Sequence, residues 1–170
     1  MMRTNRKIAV ALAVTALVGA AGAGVAQAAS ATAGGGAPSA CRPANHTAKI
    51  TAAPDSTGHH HYRVTLTAPR GYDPCTLAGS PTGVRFSHHG SETGVASGHY
   101  GTQQTAVTFG PGHPVHFDIQ VPHSTHGGTP ADEASFTLRA PDGEIPGTSV
   151  AQGNLKVTAG TLIGPIQRGA

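Results

Sequence analysis

Val115-His116-Phe117-Asp118-Ile119-Gln120-Val121 places an apolar side chain at every second position and a polar one between. Side chains on an extended strand point alternately to opposite faces, so this period of two predicts a half-buried β-strand. Working outward, Tyr62, Val64 and Leu66 line one face of a second such run, Val84 and Phe86 a third, and Phe136, Leu138 and Ala140 a fourth. Weaker runs span Ala48–Ala52, Gly94–Tyr100, Thr105–Phe109 and Leu155–Thr158. Helical spacing is absent. Clusters such as Pro69-Arg70-Gly71, Gly110-Pro111-Gly112 and Pro141-Asp142-Gly143 separate the runs and supply the dihedrals that turns need. Seven or eight short strands at this spacing predict an all-β fold, an antiparallel β-sandwich of immunoglobulin-like architecture, with a barrel as the alternative. The chain has no Trp, and Asp73 stands two residues before Cys75, where a tyrosine corner would place Tyr.

The first 28 residues read differently. Arg3, Arg6 and Lys7 precede the apolar run Ile8 to Val18, and a small-residue segment ends in Ala26-Gln27-Ala28. These are the three parts of a secretory signal peptide, which predicts a mature chain beginning near Ala29 and secreted to the extracellular space or the cell envelope. No later stretch has the roughly 20 apolar residues of a membrane span, so no transmembrane segment is expected in the mature chain. Residues 29–40, ASATAGGGAPSA, read as a flexible linker, and residues 41–167 as the β-sandwich domain. Losing the signal removes three of the 11 Lys and Arg and none of the 8 acidic residues, so the mature chain is balanced at neutral pH. That balance argues against a nucleic-acid partner. With seven aromatic residues the core rests mainly on Val, Leu and Ile. Cys41 and Cys75 are the two cysteines, and in an oxidising compartment they predict a single disulfide.

Several of these segments resemble a known family. Cys41-Arg42-Pro43, then Pro74-Cys75-Thr76-Leu77-Ala78-Gly79-Ser80-Pro81 leading into Gly83-Val84-Arg85-Phe86, is similar to the secreted actinobacterial family called domain of unknown function 4232. Val107-Thr108-Phe109-Gly110-Pro111-Gly112 resembles that family's turn into the strand Val115 to Val121, and Leu155-Lys156-Val157 through Pro165-Ile166 its closing strands. The resemblance implies a small exported β-domain, commonly at the cell envelope, with no agreed activity. Many members carry a second cysteine pair near the late strands, which this chain lacks.

Histidine is the one over-represented functional side chain. All 11 lie beyond residue 28, notably in His59-His60-His61, His88-His89, His113-x-x-His116 and His123-x-x-His126. Imidazole is a common ligand for zinc and copper, so His113, His116, His123 and His126 form the candidate metal set. The competing reading is a collection of solvated loop histidines. Asp118, Asp132 and Glu133 are the carboxylates near that set in sequence. Gly79-Ser80-Pro81-Thr82-Gly83 lacks the spacing of a nucleophile elbow, and no motif fixes a catalytic constellation, so no enzyme activity and no catalytic residue is expected. The chain therefore reads as a non-catalytic binding or structural module for an envelope or extracellular partner, using its loops, with histidine-mediated zinc or copper binding as the alternative.

Overall fold

The computed structural model describes residues 37–125 and 127–170. The expected signal peptide, residues 1–28, lies outside the described residues, as does the expected linker up to residue 36. A short 3-10 turn, Pro43–Asn45, leads into β1 (Thr47–Ser56), which folds back as β2 (His59–Thr67). Then come β3 (Cys75–Ala78), β4 (Thr82–His88), β5 (Ser91–Glu92), β6 (Ser97–His99) and β7 (Ala106–Phe109). The run quoted first becomes β8 (Val115–Pro122), followed by β9 (Thr129–Thr137), β10 (Arg139–Ala140) and β11 (Gly143–Glu144). The chain closes with β12 (Ser149–Val157), β13 (Thr161–Ile163) and β14 (Gln167–Arg168).

Ten strands form one sheet in the order β5-β4-β9-β12-β1-β2-β8-β13-β6, with β14 also paired to β8, while β3–β7 and β10–β11 form two-stranded sheets. The all-β expectation holds, with one correction: the large sheet is mixed. β1 pairs parallel with β12, and β6 with β13. A parallel neighbour needs a long crossover, and β12 returns to β1 only after the excursion through β3 to β11.

The sheet curls so that its apolar faces meet. Phe117 on β8 and Phe136 on β9 have three strands between them in the sheet order, yet their rings meet edge to face with centroids 5.1 Å apart. Around them Val64, Leu66, Phe86, Val115, Ile119, Val121 and Leu138 are buried, all of them from the alternating runs read in the sequence, while Val84 and Ala140 are partly buried and Ile163 joins the core from β13. Tyr62 is half-buried, and its hydroxyl accepts the Lys156 amide at 3.1 Å, stitching β2 to β12 across β1. Gly153 (φ +150) lies at the bulge of β12, where an added Cβ would collide with the Ile50 carbonyl, so the close approach of β1 requires glycine here.

Three boundaries differ from the sequence reading. β9 begins at Thr129, well before Phe136, because its early core positions are Ala131 and Ala134, too small to mark an apolar face. β3 carries Cys75 and Leu77 in a strand that lies outside the alternating runs of the sequence. The packed chain also starts ahead of Cys41: Ala40 is fully buried, its amide donates to Asp73 O at 2.9 Å, and Ser39 bridges to Asp73.

Cys41 and Cys75 are disulfide-bonded, with Cα atoms 6.0 Å apart. The bond ties the entry of the domain to β3 and closes a loop with a sequence separation of 34. Constraining a loop of that size in the unfolded chain stabilises a fold by roughly 3–4 kcal/mol. Replacing both cysteines with serine should lower the unfolding free energy by about that amount in a urea titration; an unchanged midpoint and slope would contradict this role.

Candidate functional site

Strand direction decides which loops share an end of the sheet. β1, β4, β8 and β12 run toward one end, and β2 and β9 start from it, as their registers require. The β1–β2 turn, the β4–β5 turn and the start of the β8–β9 loop therefore open together. They carry His59, His60, His61, His88, His89 and His123, six of the 11 histidines.

Two groups there bring metal-ligating atoms together, one donor atom per residue within 4.8 Å of the others. In the first, Asp55, His60 and His123 are all exposed. His60 Nδ1 hydrogen-bonds Asp55 Oδ2 at 2.8 Å, and the His60 and His123 rings lie 4.3 Å apart. The His123 amide donates to Gly58 O at 2.9 Å, fastening this loop to the β1–β2 turn. The His60 hydrogen bond is the main reason the Asp55 carboxyl is held below its usual range.

In the second group, His88 and His89 face Asp132 from the neighbouring strand. β4 pairs with β9 so that Ser87 lies opposite Glu133, which brings the end of β4 to Asp132. The Nδ1 atoms of His88 and His89 lie 3.2 and 3.5 Å from Asp132 Oδ2. The His89 amide donates to both carboxylate oxygens, at 3.0 and 3.3 Å. That amide is the largest cause of a lowered Asp132 pKa, assisted by the nearby imidazoles.

Among the described residues, His113, His116 and His123 of the expected set are not brought together. His113 is exposed beyond the opposite end of β8, in a turn where it and Gly110 exchange backbone hydrogen bonds of 2.9 and 3.3 Å. His116 lies inside β8, buried, with Nδ1 3.1 Å from Gly169 O. His123 sits past the far end of β8, and His126 lies outside the described residues. An extended strand rises ~3.3 Å per residue, so His113 and His123 are separated by roughly 30 Å. The partners His123 does meet, Asp55 and His60, come from the β1–β2 hairpin. Their pairing was hidden because it depends on β2 lying beside β8.

Hydroxyl and carboxylate fall on different imidazoles. His61 Nε2 meets Ser56 Oγ at 2.7 Å, whereas Asp55 is bound by His60.

The opposite end carries an open concavity of about 860 Å³ beside the disulfide. Cys41, Cys75, Pro43, Ala44, Ile145 and Pro146 supply much of its lining, with Arg42 and Asp142 adding charges of both signs. One wall is the Pro43–Asn45 turn, held by Asn45 Nδ2 donating to Ser39 O at 2.7 Å.

The pattern of a protein family described as a domain of unknown function (DUF4232) matches residues 41–163. That span includes the disulfide, His88, His89 and Asp132. No curated protein matches the chain, and no solved structure does.

His46 braces the wall of the concavity. Its Nδ1 lies 2.9 Å from Ala40 O and its Nε2 3.0 Å from Ser149 Oγ, and its ring packs edge-on to Phe109 at 5.6 Å. Donation from Nδ1 to the carbonyl leaves Nε2 to accept from the Ser149 hydroxyl, which is the arrangement of a neutral ring. Burial lowers the His46 pKa against the opposing pull of the Ala40 and Arg42 carbonyls. In the unfolded chain the ring protonates below about pH 6.5, so its contribution is present above that pH and is lost as pH falls toward the lower folded value. The stability advantage of the wild type over His46→Gln should therefore narrow between pH 7.5 and pH 5.5 in urea unfolding; a constant or widening gap would contradict it.

Proposed function

The chain belongs to the DUF4232 family, and from that premise we propose that it is an exported, non-catalytic binding module of the cell envelope or extracellular space. The Cys41–Cys75 disulfide supports the compartment, since such bonds persist where the surroundings are oxidising. Among the described residues, no helix is long and apolar enough to cross a membrane. The observation that carries the binding reading is the concavity beside the disulfide. Its volume falls within the range of ligand sites, and its lining is mostly apolar with a few charged groups. Pro43, Pro141 and Pro146 have fixed φ angles, and the disulfide braces Cys41 and Cys75, so little conformational freedom is lost when a ligand settles there. We assign to it an apolar anchor side chain of an envelope or extracellular protein, flanked by polar groups that meet Arg42 and Asp142. This is the usual anatomy of a recognition hot spot.

Ala44 is exposed on the short turn and lines the concavity, so Ala44→Trp should fill the site without disturbing the core. The wild-type protein should co-sediment with isolated envelopes of the producing organism and Ala44→Trp should be released; equal retention of the two would overturn the assignment. The secreted protein should begin near Ala29 by mass spectrometry. Retention inside the cell with an intact amino terminus would overturn the export reading.

A further inference from the structure

We propose that His88, His89 and Asp132 bind a divalent transition-metal ion, with zinc the cation that fits them best. The inference goes beyond the concavity at the other end of the sheet and does not rest on it. His88 pairs with Ser91, so the β4–β5 hairpin turns on two residues, His89 and Gly90, both with positive φ, 48° and 78°. Such turns favour Asn-Gly or Gly-Gly. His89 is the only non-glycine residue at positive φ among the described residues, in a conformation that L side chains occupy with strain. Successive residues of a continued strand would point to opposite faces. The left-handed turn instead brings both rings together, with centroids 4.0 Å apart.

The spacing suits a metal. Donor atoms about 2.05 Å from a tetrahedral zinc ion stand roughly 3.3 Å from one another. His88 Nδ1 and His89 Nδ1 lie 3.2 and 3.5 Å from Asp132 Oδ2. His88 Nδ1 is buried and has no hydrogen-bond partner, because Asp132 Oδ2 lies close to it but out of line for a hydrogen bond. The unpartnered ring nitrogen and the neighbouring carboxylate oxygen are both available to a cation placed between them. The His89 amide already fixes the carboxylate, which is the outer support that metal-ligating carboxylates generally have. Two imidazoles and a carboxylate leave a fourth position for water or a partner's ligand. Asp55, His60 and His123 make the weaker candidate: His60 Nδ1 is committed to a 2.8 Å hydrogen bond, and all three side chains are exposed.

The test is calorimetric titration of zinc into the untagged, chelator-treated protein with its disulfide formed. One stoichiometric site is expected. His89→Gly suits the turn and should fold at least as well by thermal unfolding, yet bind zinc about tenfold or more weakly, a loss of ~1.4 kcal/mol or more. Asp132→Asn keeps the side-chain shape and should weaken binding similarly, while His60→Gln should leave it unchanged. Absence of stoichiometric binding by the wild type, equal binding by His89→Gly, or loss in His60→Gln alone would overturn the proposal.

Discussion

The antiparallel register of β2 on β8, from His59 opposite Pro122 to Leu66 opposite Val115, is the constraint on which the rest of the molecule depends. It aligns Val64 with Phe117 and Tyr62 with Ile119, setting the apolar face of both strands inward. A slip of one residue would turn every one of these side chains to the other face. On the partly exposed face the register places Arg63 beside Asp118, where Nε and Oδ1 lie 3.2 Å apart. With β8 fixed, Phe117 can meet Phe136 and close the curled sheet over a core that has no Trp.

That ladder also acts as a spacer. One end of β8 abuts the turn containing His113, and the other delivers His123 to Asp55 and His60. The two ends differ in chemistry. One is apolar and stiffened by proline and the disulfide; the other is polar and rich in imidazole. The second gains its organisation from pairings between strands distant in sequence, β2 with β8 and β4 with β9. A small curled sheet with little aromatic material can hold such surfaces because turns and loops carry them, while the sheet interior remains apolar.

Much of the fold was legible in sequence because Val115, Phe117, Ile119 and Val121 alternate without interruption. The Cys41–Cys75 bond was legible because two cysteines allow one intramolecular pairing. The start of β9 was not, since Ala131 and Ala134 bury little surface and Asp132-Glu133 between them reads as a polar loop. The same weakness concealed the grouping of His88 and His89 with Asp132. Those histidines stood out by composition, but their carboxylate partner is more than forty positions away in sequence, and only the β4–β9 register unites them. The His113–His116 spacing suggested proximity that the structure assigns elsewhere, because β8 is continuous through His116 and commits that ring to Gly169. The parallel β1–β12 pair left no local mark, since strand direction in a sheet follows from chain path rather than from residue pattern.

The metal site and the concavity, both proposed as binding surfaces, lie at opposite ends of one sheet, and their independence is the central claim. A two-dimensional amide NMR titration of the untagged protein with zinc tests it most directly. Shifts confined to the amides around His88, His89 and Asp132, with those of Ala44, Thr76 and Ile145 unmoved, are the predicted result. Shifts that spread to the disulfide end, or that leave the β4–β5 turn unaffected, would contradict it.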